Sequence, residues 1–474
     1  MKIAQPLRVG TAVLAALSLS GCMIAGRDYS RPDLGLPAGH AVPISEEDAI
    51  TAANTPWFAL YRDPELQSLI RESLAHNLDL QLAFARIEEV EGRLRTSRSR
   101  LFPWIDGALQ TSPAAQTNSN DSSFTLGLIL NWEIDLFGKL RRENEAVRAQ
   151  LLATRAGRDA VVSTLVQQVA ASWLSIRELQ AEERILERNI ALQQRSLGLV
   201  QSLHRAGVVS DSEEQQARGQ LAGTRAQLPQ IRKTRLISEN LLATLLGRYP
   251  SPLELAPVAD QGGERGIASH DLPLGVPADL LARRPDVRMA EQALVAATAR
   301  EGVAIANRFP FPTIGLSALF GRASGQIDGL FDDAKSVSIN SWGPNVTLPI
   351  LAFGRDQGGV DTARAQTKQA LIQYRQAVQN SMLDVYQAVY TYRAAQDQLA
   401  PLADQLAAAE RSLHLQDLRF KSGVNDYLSV LDAQRQLLST EVALERARLN
   451  RDLAFVDLYR ALGGGWDSEE IEQD

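Results

Sequence analysis

Between Phe353 and Phe420 apolar residues recur every seven positions, at Leu371, Val378, Val385, Tyr392, Leu399, Leu406 and Leu413, without a slip. The d positions of the same heptads include Tyr374, Ala388, Ala395, Leu402 and Ala409, mostly small, so that neighbouring backbones can approach closely. No proline interrupts the stretch before Pro401, and the pattern predicts one very long helix, about 100 Å from end to end. A helix of that reach crosses a gap or lines a conduit, or it belongs to a scaffolding coiled coil. Periodicity alone leaves both open.

The long helix belongs to a unit that occurs twice. The amphipathic segment from Asp63, with Asp63-Pro64 as start signal and Pro103 as stop, predicts a helix whose counterpart begins near residue 278. Asp79 corresponds to Asp286, Ala83 to Ala290, and Phe102-Pro103 to Phe309-Pro310. Further on, Phe137-Gly138 matches Phe353-Gly354, and Gly207, Ala217 and Leu221 match Gly423, Ala433 and Leu437. Two repeats follow, residues 63–247 and 278–462, each ordered helix, two short strands, very long helix, tight turn, helix. A non-helical segment, 248–277, separates them and a tail, 463–474, follows. In the first copy the long helix, Gly138 to His204, keeps its seam at Val162, Val169, Ile176, Ile190 and Leu197, but Glu183 intrudes, which predicts a local opening or a wetter interface. Pro229 predicts a kink or break in the next helix.

The strands switch to a period of two. Phe124, Leu126, Leu128, Leu130, Trp132 and Ile134 fall on one face, against Thr125, Gly127, Asn131 and Glu133 on the other. In the second copy Trp342, Val346, Leu348 and Ile350 oppose Gly343, Asn345 and Thr347. This is the alternation of a membrane barrel, although a small sheet packed on helices would show it too. The hairpins are expected at 104–134 and 313–350, with polar loops at their tips and Trp104, Trp132 and Trp342 as interfacial anchors. Four strands per chain cannot close a membrane barrel, for which about eight is the minimum. Three chains would supply twelve strands above twelve helical columns, a match of circumference that favours a trimer.

The N-terminus indicates the compartment. Lys2 and Arg8 precede a short apolar run ending in Leu19-Ser20-Gly21-Cys22, a bacterial lipoprotein signal. Residues 1–21 are expected to be removed, and Cys22 to carry diacylglycerol and N-palmitoyl chains, a covalent lipid and not a cofactor. Met23 follows in place of an aspartate, which favours transfer to the outer membrane, with residues 22–62 as an extended arm. The only cysteine falls at this spot, so an internal disulfide framework and a CxxC site are both excluded.

Composition narrows the chemistry. Lys and Arg number 49 against 56 Asp and Glu, a net charge of -7 without a basic block, which argues against nucleic acid. Beyond the signal no apolar run is long enough for a spanning helix, so a spanning element must be made of strands. His40, His76, His204, His270 and His414 are scattered and form no metal-ligand pair at helical spacing, and neither a GxSxG nor a P-loop occurs. An enzyme is not expected, nor a metal or cofactor.

The segments RRPDVRMAEQALVAA, NRFPFPTIGL, WEIDLFGKLRR, SGVNDYLSVLDAQRQLL and LYRALGGGW resemble, in the same order, the TolC-type outer-membrane factors of tripartite efflux pumps. The lipobox resembles that of the NodT/OprM-like lipoprotein branch. The resemblance implies a mainly α fold with a small membrane β-barrel, a homotrimer whose twelve strands continue into a twelve-helix periplasmic barrel. It implies as partners a periplasmic membrane-fusion adaptor, an inner-membrane RND-type transporter and outer-membrane lipid. The function implied is passive exit of substrates through a channel gated at its periplasmic helix tips. An outer-membrane conduit for type I protein secretion shares this fold, and a non-conducting scaffold lipoprotein would use the coiled coil but leave the strands unexplained.

Such a tube must close at its periplasmic end. In KSGVNDYLSVLDAQ, Gly423 permits the turn and Leu428 and Asp432, four apart, share a helix face. Three copies around an axis would form an apolar ring and a carboxylate ring, and the resemblance implies that these two residues are the gate. Packing in the seam and plain solvation are the alternatives from spacing alone. Gly207, Ser210 and Asp211 at the first tip, with Gly423 and Asn425 at the second, are the expected adaptor contacts. Ser429, Phe420 and Asn425 depart from residues found in some family members, so a closed-state network using those side chains must differ here.

Overall fold

The computed structural model describes residues 24–34, 61, 63–112, 123–253, 255–256, 283–308 and 310–464. Cys22 and the signal before it, most of the arm and of 248–277, the tip loop 113–122, Phe309 and the tail beyond Gly464 lie outside the described residues. The elements are α1 (Pro64–His76), α2 (Leu78–Ser99), β1 (Trp104–Ser112), β2 (Ser123–Ile134), α3 (Lys139–Arg205) and α4 (Asp211–Leu245), then α5 (Pro285–Ala306), β3 (Thr313–Ser324), β4 (Val337–Thr347), α6 (Arg355–Asp397), α7 (Leu399–Lys421) and α8 (Tyr427–Ala461). A 3-10 turn, Asp328–Phe331, buries Leu330 within the β3–β4 connection that the sequence reads as a polar loop. β4 also starts and ends earlier than the strand pattern 341–350 suggests.

Three other expectations are corrected. The first helix is two. Asn77 turns the backbone to φ -63°, ψ 131°, and its side-chain oxygen accepts from the amides of Asp79 at 2.9 Å and Leu80 at 3.1 Å, capping α2 afresh. The long second-copy helix is interrupted at Gln398, because Pro401 has no N–H to offer the Asp397 carbonyl. Gln398 itself stays helical at φ -73°, ψ -22°, and bonds continue from Gln398 N to Ala394 O at 3.2 Å and from Leu402 N to Gln398 O at 3.3 Å, so the interruption is one of hydrogen bonding and not of direction. Pro229, in contrast, leaves α4 unbroken. Both Pro229 and Arg225 are exposed, on the side of a helix where a carbonyl left without its N–H can turn toward solvent.

The chain divides into two compact units. One combines residues 1–35, 85–156 and 288–377 and contains the sheet. Its four antiparallel strands are ordered β1-β2-β3-β4, so the hairpins of the two repeats join through β2 and β3. The strands are 9, 12, 12 and 11 residues long, close to the roughly 9–11 that a tilted strand needs to cross a bilayer. Register puts Leu109 beside Leu126, Leu128 beside Phe320, and Ala318 beside Trp342. Leu109, Leu128, Phe320, Trp342 and Val346 are all at least half exposed on this apolar face. The other face pairs Gln110 with Thr125, Asn131 with Ser317 and Gly315 with Asn345. In the same unit the arm is fastened to α5: the Tyr29 hydroxyl donates to Glu291 at 3.0 Å and Arg31 forks onto both Glu291 oxygens at 3.0 and 2.7 Å. Burial, then the Glu291 charge, pushes the Tyr29 hydroxyl far above the ordinary phenol range.

The other unit combines residues 36–84, 157–287 and 378–474. Its main core gathers Leu66, Ile70 and Leu80 with Val162, Val169, Trp173 and Ile176 of α3, Leu242 of α4, Val385 of α6, and Phe455 and Tyr459 of α8. The seam intruder Glu183 is not an opening. It bridges Arg232 and Arg235 of α4 and is only 15% exposed. Equivalent turns recur in both repeats: Gly138 and Gly354, Gly207 and Gly423, Gly247 and Gly463 all have positive φ at the same separation along the chain.

Candidate functional site

The two tip turns are built alike. After α3, Gly207 adopts φ 74°, its N–H bonding to His204 O at 2.9 Å while Val208 N bonds to Leu203 O at 2.9 Å. After α7, Gly423 adopts φ 72°, its N–H reaching Phe420 O at 3.0 Å and Val424 N reaching Arg419 O at 2.9 Å. Both are helix ends that need a residue without Cβ at the left-handed position. Each following helix is capped. Ser210 and Glu213 form a reciprocal box at the start of α4, and Asp426 accepts from the Ser429 amide at the start of α8.

The tips are joined by a small core in which Val200 and Ala217 of the first pack with Phe420, Tyr427, Val430 and Leu431 of the second. The Phe420 and Tyr427 rings lie 5.3 Å apart, inclined at 54°. Burial pushes the Tyr427 hydroxyl above its ordinary range, the bond to Ser196 opposing it. Polar ties flank this core. Glu213 accepts from the Tyr427 amide at 3.5 Å, and Arg435 Nε donates to Gln220 Oε1 at 2.6 Å.

Against that locked face, Leu428 is 44% exposed. The Asp432 side chain is 65% exposed, its one ion pair among the described residues being with Arg435 Nη1 at 3.5 Å. The structure therefore places an apolar and an anionic side chain together on the free face of α8, one turn apart. The Asn425 amide donates to Gln416 Oε1 at 2.6 Å and ties the second turn to α7. Ser210 is engaged in its capping box, whereas Asp211 remains exposed.

Two features escape the sequence reading. The inter-tip core and the Arg435–Gln220 tie depend on tertiary pairing that no local pattern encodes, although S-x-x-E at Ser210–Glu213 was a readable cap. His204, Asp211 and Glu214 also come together across the first turn, each offering a ligand atom within 4.8 Å of the others. Scattered histidines concealed this, because the turn and not helical spacing assembles the trio.

A four-stranded sheet with an exposed apolar face and, among the described residues, two unpaired edges, continuous in sequence with long helical hairpins, is the make-up of a channel-forming outer-membrane protein. Residues 69–248 and 276–464 match the outer membrane efflux protein family, and the chain belongs to it. It is 30% identical over 459 residues to the cation efflux system protein CusC of Escherichia coli strain K12, covering 95% of this chain and 98% of that one. It is 32% identical over 480 residues to the toluene efflux pump outer membrane protein TtgF of Pseudomonas putida, covering 96% of each. Among solved structures it is similar to the open state of the Neisseria gonorrhoeae MtrE outer membrane channel, with a TM-score of 0.82 at 29% identity over 94% of this chain and 99% of that one. A structure of CusC also gives a TM-score of 0.82 at 29% identity, covering 93% and 99%. The chain thus has the TolC-like fold of the outer-membrane efflux channels.

Proposed function

We propose that the chain forms, as a homotrimer, the passive exit duct of a tripartite efflux pump, receiving its cargo from a periplasmic adaptor and an RND-type inner-membrane transporter. Three four-stranded sheets would close through their β1 and β4 edges into one barrel with the apolar face toward lipid, while acylated Cys22 tethers each chain to the outer membrane. The duct carries out no reaction of its own. CusC is a cation efflux protein and TtgF serves a toluene pump at nearly the same identity, so cargo choice is assigned to the transporter and not to the duct wall.

The gate reading is carried by one observation: Leu428 and Asp432 face outward from α8 exactly where the opposite face of that helix is fixed by the inter-tip core. Three Leu428 side chains would form an apolar constriction, and three Asp432 carboxylates a ring that repels itself and attracts cations. Arg435, tied to Gln220, would hold that ring in register. Asp211 at the first tip is assigned to the adaptor contact, with the glycine turns setting its position.

The test is single-channel conductance of the purified acylated protein in planar bilayers, wild type against Leu428→Ala/Asp432→Ala. Small wild-type currents that rise sharply in the double variant are expected. A wild type open to the same degree would remove the gate, and no current from either folded protein would remove the duct.

A further inference from the structure

We infer that the first hairpin tip is a binding site for a divalent transition cation of the zinc type, held by His204, Asp211 and Glu214. This site is distinct from the constriction assigned to Leu428 and Asp432, and the inference does not rest on that assignment.

The ligand chemistry comes first. An imidazole and two carboxylates are a donor set that suits Zn2+, Co2+ or Ni2+. Their ligand atoms lie within 4.8 Å of one another, yet no ion pair within 4.0 Å links His204 to either carboxylate among the described residues. Ligands placed about 2.1 Å from one tetrahedral ion stand about 3.4 Å apart, so side-chain rotations that bring the atoms closer by about 1 Å would seat the trio around a cation.

Each ligand is also held by a group outside the trio. His204 Nδ1 lies 3.1 Å from Val209 O. A carbonyl only accepts, so Nδ1 carries the proton and Nε2 keeps its lone pair for a metal. Asp211 Oδ1 accepts from Gln215 at 3.1 Å, leaving Oδ2. Glu214 Oε1 accepts from both Arg218 Nε and Nη2, at 2.9 and 2.6 Å, leaving Oε2. Such outer bonds orient metal ligands and set their affinity.

Acidic residues in the first turn of a helix are ordinary and would need no ligand. Glu214 is not ordinary. It is 8% exposed, and its Oε1 also lies 3.4 Å from Gln201 Nε2, while Arg218, its arginine partner among the described residues, is 55% exposed on the side chain. The cation would join the last turn of α3 to the first two turns of α4, clamping the loop Ala206–Ser210 from outside, with water completing its coordination.

The experiment uses the full-length acylated protein in detergent, purified without a polyhistidine tag, titrated with Co2+ and followed by its visible absorption, with Zn2+ as competitor. Saturable binding of one Co2+ per chain, displaced by Zn2+, is expected. His204→Ala and Glu214→Gln should each weaken it by at least about tenfold, while His414→Ala, which is not one of the trio, leaves it unchanged. Hydrogen exchange of the Ala206–Ser210 amides should slow on adding Zn2+ in wild type and not in His204→Ala. Equal binding by wild type and a folded His204→Ala, no saturable binding by wild type up to millimolar metal, or protection elsewhere than this loop would each overturn the inference.

Discussion

The rings of Phe420 and Tyr427 meet at 5.3 Å across the second tip turn, so a residue of the last turn of α7 and the residue that begins α8 close the hairpin from inside. Tyr427 is 2% exposed, and truncating an aromatic so buried removes both transfer energy and packing. Tyr427→Ala should cost the tip about 3–5 kcal/mol, seen as faster hydrogen exchange of the amides flanking Gly423. Tyr427→Phe keeps the ring contact and should cost no more than about 1.5 kcal/mol, the net worth of one hydrogen bond. Equal exchange rates in Tyr427→Ala and wild type would show that the turn holds without its core.

Gly127 and Gly321 face each other where the two repeats join. A Cβ on Gly321 would lie 2.4 Å from Leu126 O and 2.7 Å from Gly127 Cα, backbone atoms that cannot step aside without parting the strands. Gly321→Ala should therefore hinder pairing of β2 with β3 and reduce assembled, heat-resistant oligomer on gels, whereas Gly219→Ala, on α4 outside the sheet and with open space around its Cβ, should leave assembly intact. Identical assembly of the two variants would refute the close approach.

Arg284 is 4% exposed and binds four partners. It meets the carboxylates of Asp286 at 2.8 Å and Asp384 at 2.9 Å and the carbonyls of Ala461 at 3.0 Å and Ser381 at 3.3 Å. Arg284→Ala leaves these acceptors facing a void, and a loss of about 3–5 kcal/mol is expected, read as a lowered midpoint of thermal unfolding in detergent. Arg284→Lys should recover little, since an ammonium cannot fork across acceptors on three elements. Burial alone would raise the Asp286 carboxyl, but the Arg284 bond and charge and the Val287 amide outweigh it and hold it below the usual range. Its share of stability is full above the unfolded value of about 3.9 and fades as pH falls through the lowered folded value.

The parts visible in the sequence were those that repeat. Leu371, Val378 and Val385 mark the seam, Asp63-Pro64 a helix start, and the Phe124–Ile134 alternation a strand, because helix and strand periods act on neighbours in the chain. What stayed hidden was decided by distant partners or by which side faces water. Asn77 could break a helix because its amide reaches Leu245 O at 3.0 Å, and Pro229 could fail to break one because its neighbourhood is solvated. At the tips, Gly207 and Gly423 were legible through the turn they permit, whereas the Arg435–Gln220 tie and the His204 trio exist only once two helices are brought side by side.

Glu441 supplies a pH dependence of opposite sign to Asp286. It lies on α8, half-way along the helical hairpins, accepting from Asn189 at 2.8 Å and from Arg188 at 3.4 Å. Burial pushes its carboxyl above the usual range, the Asn189 bond and the Arg188 charge pull it down, and the Glu410 charge pushes it up again, with the net shift upward. A carboxyl whose folded value is raised binds its proton more tightly in the native state, so it favours folding most below the unfolded value of about 4.3. That contribution falls as pH rises from there to the folded value, beyond which the buried charge is a constant cost. Glu441→Gln keeps an acceptor for Asn189 and removes the charge. Its melting temperature should equal or exceed wild type at neutral pH, and the wild-type decline on raising the pH above about 4.3 should become shallower. A Glu441→Gln protein less stable than wild type at neutral pH would mean that the Arg188 ion pair, and not burial, dominates at this site.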